Sequence, residues 1–91
     1  MRTYKFKRQF EKAIDKLPEE VVDIFYGKLE KLRNDFTHTS LRSKKIRGTH
    51  NPEIWEASIN MSYRFTFHFE ADGTIIFRNI GTHDLIDKGK Y

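Results

Sequence analysis

The segment from Trp55 to His83 constrains the fold most, because it has the pattern of three consecutive antiparallel β-strands. Apolar residues alternate with polar ones, and two short turn-like breaks interrupt the alternation. The first break, residues 60–62, fits a three-residue hairpin loop that keeps apolar residues opposite one another and sets Glu56 across from Thr66. One face of the sheet is therefore predicted to be a core wall, and the other a polar surface.

The second break, Ala71–Gly73, is also predicted to be a three-residue loop, because glycine accepts the positive φ that such a loop requires. This register sets Thr66 opposite Arg78, so that Glu56, Thr66 and Arg78 form one row across the polar face. A two-residue turn would shift the register by one position and send Arg78 to the other face. We expect the first register, although the third strand carries apolar residues at positions of both parities: Ile75, Phe77, Ile76 and Ile80.

Two amphipathic helices are predicted before the sheet. Apolar residues from Phe6 to Leu17 recur with helical spacing, and Pro18 ends this helix and suits the first position of the next. The second helix begins with acidic residues and ends with basic ones, which complements the helix dipole. Its apolar stripe runs from Val21 to Phe36. Residues Thr3–Phe6 are either an edge strand or the start of the first helix.

The only large apolar surface left to cover both helical stripes is the core face of the sheet. The predicted fold class is therefore α+β, with an N-terminal helical hairpin packed on one face of a small antiparallel β-sheet. The chain of 91 residues has room for one domain, spanning residues 1–91.

Composition and charge limit the classes of protein. Aromatic residues make up 14% of the chain, which is too many for a disordered protein, and no apolar run approaches the roughly 20 residues of a membrane span. We therefore expect a cytoplasmic protein with no membrane partner, and the absence of cysteine fits a reducing compartment. The histidines lack metal-ligand spacing, so no metal site and no cofactor are predicted. A net charge of +4 favours an anionic partner.

A basic segment, Thr37–Asn51, connects the second helix to the sheet. Arg42, Lys44, Lys45 and Arg47 lie within six positions of one another. Such a cluster either binds phosphate or is a solvated linker, and charge alone does not decide between these two roles.

The motifs follow one another in a characteristic order. Two helices precede the basic sequence KKIRG, then the strand WEASIN, the aromatic strand YRFTF and the ending FRNIGTHD. The most specific parts are Lys45–Gly48, the Tyr63–Arg64 pair and Ile80–Asp84. This combination, which spans nearly the whole chain, resembles the RelE-like toxins of bacterial and archaeal toxin–antitoxin systems.

The resemblance implies a sheet with helices on one face and an active or binding surface on the other. Many members are endoribonucleases that cut mRNA in the ribosomal A site, and each is neutralised by an antitoxin segment that wraps it. The expected function is thus a type II toxin that inhibits translation, with mRNA, the ribosome and a cognate acidic antitoxin as partners. Two alternatives remain: a ParE-like toxin that acts on DNA gyrase, and a non-catalytic member that binds nucleic acid or antitoxin.

Metal-independent RNA cleavage requires a base for the 2′-hydroxyl proton, cations for the phosphorane and an acid for the 5′-oxygen. By resemblance, Arg64 contacts the scissile phosphate and His83 is the general acid or base. Glu56 aligns with a position that is lysine in some members, so it is either the base or a partner that orients Arg64 or Arg78. The simpler alternatives are an exposed imidazole at His83 and a Glu56–Arg78 surface ion pair worth under about 1 kcal/mol.

The predicted RNA-binding residues flank this cluster. By the same resemblance, Lys44, Lys45 and Arg47 are expected to contact RNA or ribosomal phosphates. Relatives place an aromatic residue about four positions after the histidine, where this chain has Asp87. Tyr91 either takes over this role by stacking on a base or is disordered as a chain end.

Overall fold

The computed structural model describes every residue from Met1 to Tyr91, in five strands and three helices. The strands are β1 (Tyr4–Phe6), β2 (Lys44–Lys45), β3 (Trp55–Ser58), β4 (Tyr63–Phe69) and β5 (Ile75–Thr82). The helices are α1 (Arg8–Ile14), α2 (Glu19–Asn34) and α3 (Asp84–Asp87), with a 3-10 turn at Thr39–Leu41. All five strands form one sheet in the order β1-β5-β4-β3-β2.

The two predicted helices are α1 and α2, separated at Pro18. This proline caps α2, where the N–H group it lacks would have had no partner inside the helix. The predicted stripe of α2 faces inward and leaves the outward residue Ile24 42% exposed. None of the helices is long and apolar enough to cross a membrane. The buried residues of the stripe are Val21, Phe25, Leu29 and Leu32.

A cluster of phenylalanine rings joins these helices to the sheet. The ring of Phe25 in α2 lies 5.3 Å from that of Phe10 in α1, 5.1 Å from Phe65 in β4 and 5.5 Å from Phe77 in β5, between ring centroids. All four side chains are fully buried. The helices therefore pack on one face of the sheet, as predicted, and leave the opposite face for other contacts.

The hairpin between β3 and β4 has the predicted register. Glu56 lies opposite Thr66 on the polar face. Its loop is closed by the side chain of Asn60, whose Oδ1 accepts hydrogen bonds from the backbone N–H groups of Ser62 at 2.8 Å and Tyr63 at 2.9 Å. An asparagine that bonds its own backbone two residues on stabilises such a turn.

The hairpin between β4 and β5 begins in the predicted register and then departs from it. The N–H of Glu70 donates to the carbonyl of Thr74 at 2.9 Å, and Gly73 has a φ of 90°, so the three-residue loop is confirmed. The pairing is interrupted by a bulge between Thr66 and Phe67.

Because of this bulge, Thr66 lies opposite Asn79, and Arg78 has no partner residue on β4. The predicted row of Glu56, Thr66 and Arg78 is therefore wrong. A bulge places two residues of one strand against one residue of the other, which changes the alternation beyond it. Ile80 consequently turns to the core, where it is 3% exposed.

The sheet is mixed rather than antiparallel throughout. Strand β1 joins β5 in parallel, with Tyr4 opposite Ile75, so Thr3–Phe6 leads into an edge strand rather than into α1. At the other edge, β2 pairs antiparallel with β3 and sets Lys44 opposite Glu56. Two residues of the basic segment thus form an edge strand, which gives the backbone of these lysines a defined position while their side chains stay exposed.

The C-terminal segment folds back over the polar face. Leu85 in α3 is buried, and a Cβ atom at Gly81 would lie 3.4 Å from its side chain, within ordinary van der Waals contact, so Leu85 packs directly against the strand at Gly81. The side chain of Asn79 donates to the carbonyl of Lys90 at 2.7 Å. Tyr91 is therefore held against the sheet rather than extending away from it.

The phenylalanine cluster predicts a large and local stability cost. Replacement of Phe25 by alanine should lower the free energy of unfolding by about 3–5 kcal/mol, because the ring leaves a cavity between the helices and the sheet. Ile24→Ala, on the exposed side of the same helix, should change it by about 0.5 kcal/mol or less. Urea denaturation of both variants measures the difference, and similar losses would contradict the packing described here.

Candidate functional site

Arg64 lies on the polar face between a carboxylate and an imidazole. Its Nη1 atom is 3.5 Å from Oε1 of Glu56, and its Nε atom is 3.3 Å from Nδ1 of His83. Strands β4 and β3 carry the arginine and the glutamate, and the histidine follows the end of β5. The structure therefore brings together three of the four residues predicted to be catalytic.

The hydrogen bonds of His83 define its tautomer. Its Nε2 atom lies 2.8 Å from the carbonyl oxygen of Met61, which can only accept, so Nε2 carries the proton. The Nε–H of Arg64 can only donate, so Nδ1 presents its lone pair to the arginine. In this arrangement Nδ1 is the ring nitrogen directed at the guanidinium group.

Glu56 is 5% exposed, which is unusual for a carboxylate. Arg64 is the one cation within ion-pair distance of it. A buried charge needs such a partner, because removing one member of a buried pair leaves an uncompensated charge. The predicted surface ion pair between Glu56 and Arg78 is wrong, since the bulge moves Arg78 out of the row to which Glu56 belongs.

Arg78 belongs to a separate cluster with His68. Its Nη1 atom donates to Nδ1 of His68 at 2.8 Å, and its Nε atom donates to the main-chain oxygen of Tyr91 at 2.8 Å. Burial lowers the pKa of Arg78. Burial and the positive charge of Arg78 lower the pKa of His68. The fourth residue predicted to be catalytic therefore anchors the C-terminal segment and does not contact the Arg64 cluster.

A groove of about 550 Å³ opens beside Arg64, between α2 and the β3–β4 hairpin. We call it the hairpin groove. Three of its side chains, Lys28, Arg42 and Arg64, carry a positive charge, and no carboxylate lines it. The lining residues are Lys28, Thr39, Ser40, Arg42, Ser58, Ile59, Asn60, Met61, Arg64 and His83.

A second groove of about 450 Å³ lies under the C-terminal segment, and we call it the tail groove. It is lined by all four residues predicted to bind RNA and also by Glu56. The two grooves meet at the Glu56–Arg64 ion pair, because each partner lines one of them. RNA binding itself stays a prediction. The lining residues are Lys44, Lys45, Ile46, Arg47, Glu56, Ile86 and Tyr91.

The sequence interpretation overlooked two cations of the hairpin groove, Lys28 and Arg42. The charge pattern places Lys28 at the basic end of the second helix and Arg42 in the basic segment, and it does not indicate that the two side chains meet. The Nζ atom of Lys28 donates to the carbonyl of Ser40 at 2.7 Å. Burial, followed by the charges of Lys31 and Arg42, lowers the pKa of Lys28. One feature of the sequence could have indicated Lys28 as a groove residue. It lies beside the apolar stripe of α2, so its side chain is partly buried.

Solved structures with a similar fold come from toxin–antitoxin complexes. A chain of the RelB–RelE antitoxin–toxin complex from Methanococcus jannaschii has a TM-score of 0.72 at 25% identity, covering 92% of this chain and 95% of that one. The archaeal RelE–RelB complex from Pyrococcus horikoshii OT3 gives 0.73 at 19% identity, covering 89% and 93%. The E. coli DinJ–YafQ toxin–antitoxin complex gives 0.76 at 13% identity, covering 93% and 96%.

The chain has the RelE-like toxin fold. The fold resemblance read from the KKIRG, YRFTF and FRNIGTHD motifs is thereby confirmed. No family model matches the sequence, and no curated protein is similar to it in sequence. Within this RelE-like fold, the Arg64 cluster lies on the face of the sheet opposite the helices.

The His68–Arg78 cluster predicts a pH dependence of stability. The pKa of His68 lies below its ordinary value of 6.5 in the folded chain, so between these two values the unfolded chain binds more protons. The free energy of unfolding should therefore fall as the pH drops below 6.5 and level off below the folded-state pKa. His68→Gln should flatten this decline, as measured by urea denaturation across the window. If the His68→Gln variant kept the pH profile of the wild-type chain, His68 would not be the cause of the decline.

Proposed function

We propose that the chain is the toxin of a type II toxin–antitoxin system and a metal-independent, ribosome-dependent mRNA endoribonuclease. The observation that carries the proposal is the position of Arg64, held between the carboxylate of Glu56 and the imidazole of His83 beside a cationic groove. The similarity to toxin–antitoxin complexes supports the toxin assignment.

Arg64 is suited to hold the scissile phosphate. A guanidinium group matches phosphate oxygens in a bidentate geometry and stays charged at all relevant pH values. Its contacts of 3.3 Å and 3.5 Å are longer than the 2.7–2.9 Å typical of strong charge-assisted hydrogen bonds. A phosphate can therefore replace the contact with His83, while Glu56 keeps its contact with the guanidinium group. The same guanidinium then stabilises the extra negative charge of the phosphorane.

His83 is suited to move the proton. When the phosphate binds Arg64, the Nδ1 lone pair of His83 becomes free to accept the 2′-hydroxyl proton. The 2′-oxygen attacks phosphorus, the bond from phosphorus to the 5′-oxygen breaks, and the leaving oxygen takes a proton from a water molecule on the opposite side of phosphorus, while the imidazolium returns its proton to solvent. The products are a 2′,3′-cyclic phosphate and a 5′-hydroxyl. The Met61 carbonyl keeps the ring in the required orientation throughout.

Glu56 serves as a positioning residue in this scheme. Its carboxylate is buried and contacts Arg64, and it lines the tail groove rather than the hairpin groove that contains His83. Between the two roles left open by the sequence, orientation of Arg64 fits this burial better than proton transfer to substrate. Neutralising the carboxylate should then loosen Arg64 without removing the proton acceptor.

The tail groove extends the interface for RNA. Lys44, Lys45 and Arg47 would hold phosphates on one side of the Arg64 cluster, and Tyr91 would stack on a base. A cognate acidic antitoxin would oppose this binding, because the chain carries a net charge of +4 and both grooves are lined by cations. The partner in the similar structures is an antitoxin, which supports this part of the proposal.

Cleavage of mRNA on programmed ribosomes tests the proposal. His83→Gln should lower the single-turnover rate by about 10²–10⁴-fold, because proton transfer is lost. Arg64→Gln should lower it by about 10²–10³-fold through lost charge stabilisation. Glu56→Gln should cost less than either. Lys12→Gln, at an exposed position of α1 outside both grooves, should leave the rate unchanged.

The alternatives identified from the sequence predict different results in the same assays. Inhibition of gyrase supercoiling that survives His83→Gln, with intact mRNA, would replace the proposal with a gyrase-binding toxin. A folded protein with neither activity would indicate a non-catalytic member. Circular dichroism of each variant shows that a lost rate does not reflect unfolding.

The salt dependence of ribosome binding tests the tail groove. Neutralising Lys44, Lys45 and Arg47 together should reduce the slope of log affinity against log salt by up to about two, since each phosphate contact on a single strand contributes roughly 0.7. The matched control is a triple glutamine variant at exposed cations near α1, which should keep the wild-type slope. Equal slopes in all three proteins would mean that the basic segment does not contact phosphate. The control positions are Arg8, Lys12 and Lys16.

A further inference from the structure

The hairpin groove contains a second group of cations, set apart from the Glu56–Arg64 pair. Lys28 projects from α2 and Arg42 follows the 3-10 turn, and both line the groove. Neither has a carboxylate within ion-pair distance, because the four ion pairs of the chain involve other cations. Charge in this part of the groove is therefore uncompensated.

The groove holds Lys28 in place rather than leaving it free in solvent. Its Nζ atom donates to the carbonyl of Ser40 at 2.7 Å, and Lys31 donates to the hydroxyl of the same residue at 3.4 Å. Three like charges thus lie around one turn of the chain. Burial, followed by the charges of Lys31 and Arg42, lowers the pKa of Lys28. An anion bound here would relieve the repulsion between these charges and would gain a preoriented ammonium group.

The remaining lining indicates the chemistry of that anion. Hydroxyl and amide groups of Thr39, Ser58 and Asn60 supply neutral hydrogen-bonding partners of the kind that contact phosphate and sugar oxygens. Two of the ten lining residues are hydrophobic, which offers little to the apolar anchors of a peptide. A volume of about 550 Å³ falls within the roughly 300–1,000 Å³ of small-ligand sites, enough for a nucleotide with its phosphates.

We propose that Lys28 and Arg42 bind the RNA phosphate adjacent to the scissile one. This inference rests on the proposed function, because it takes the phosphate at Arg64 to be the reacting one. The groove is continuous from Lys28 to His83, so one strand can occupy both positions. Two fixed phosphates determine the orientation of the sugar between them, and this orientation sets the approach of the 2′-oxygen to phosphorus.

A purely structural role for Lys28 makes a different prediction. In that case the hydrogen bond to Ser40 only fastens the 3-10 turn to α2. Its loss would lower the stability of the chain, and the effect of neutralising a ligand phosphate on affinity would stay the same. The two roles are separated by changing the ligand as well as the protein, because a phosphate contact couples the two changes and a structural role does not.

The probe is a single-stranded RNA that is 2′-O-methylated throughout, so that it binds without being cleaved. One phosphate at a time is replaced by an uncharged methylphosphonate, and affinity is measured by fluorescence anisotropy. For the wild-type chain, neutralising either of two adjacent phosphates should lower affinity by roughly tenfold, as expected for hydrogen bonds to charged groups. Neutralising any other phosphate of the RNA should lower affinity less.

In the double variant Lys28→Gln/Arg42→Gln, one of these two positions should lose its effect while the other, contacted by Arg64, keeps it. The matched control Arg8→Gln/Lys12→Gln should retain both. Lys28→Arg in the otherwise wild-type chain should keep the effect of neutralising each of the two phosphates. Arg42→Gln alone, which leaves α2 unchanged, should reduce the effect at the position that the double variant loses. An equal affinity loss at all phosphates in the double variant would overturn the proposal in favour of general electrostatic attraction.

Two further outcomes separate this inference from the proposed function. A chain that shows the two-phosphate pattern but cleaves no mRNA on ribosomes would overturn the catalytic proposal and support the phosphate contact. A chain that cleaves mRNA and lacks the pattern would overturn the contact alone. Unchanged RNA binding by the double variant, with weaker binding of a polyglutamate peptide, would overturn it and assign the cations to an acidic protein partner.

Discussion

The packing of Phe25 against Phe65 determines where the candidate site lies. Successive side chains of a strand point to opposite faces, so burying Phe65 under α2 forces Arg64 to the polar face. The confirmed β3–β4 register then sets Glu56 on the same face, one row from the arginine. The buried phenylalanine core thus determines which residues of β4 lie on the polar face, because a register shift of one residue would bury Arg64 and expose Phe65.

Periodic patterns explain why much of this arrangement could be predicted from the sequence. The α2 stripe and the β3–β4 alternation are repeated over enough residues to fix which side is buried. The bulge at Arg78 was missed, although Ile80 contained a signal for it. In the predicted register Ile80 would lie beside Arg64 on the polar face. The bulge returns it to the core, and the same step removes Arg78 from the row of Glu56.

Strand register explains the prediction of the Glu56–Arg64 pair, whereas His83, which follows the end of β5, was predicted from the family resemblance. Glu56 and Arg64 lie on paired strands, so strand register was enough to place them together. Lys28 reaches the groove from α2, and its position depends on how the helix crosses the sheet and how the 3-10 turn meets it. Neither the crossing of the helix nor its contact with the 3-10 turn follows from periodicity. A helical pattern defines the buried side of a helix, but it does not show which elements lie beside that buried side. The position of Tyr91 likewise depends on its hydrogen bond with Arg78.

The charges of the hairpin groove fall into two groups with different consequences. Arg64 is compensated by a buried carboxylate, which stabilises its position in the absence of ligand. Lys28 and Arg42 lack such partners, so their repulsion opposes folding until an anion arrives. Because a ligand that binds only the folded state stabilises it, an RNA strand or an acidic antitoxin would gain affinity from this stored repulsion. Under the proposed function, the two ligands would then compete for the same uncompensated charge, and an antitoxin would block the groove without contacting His83.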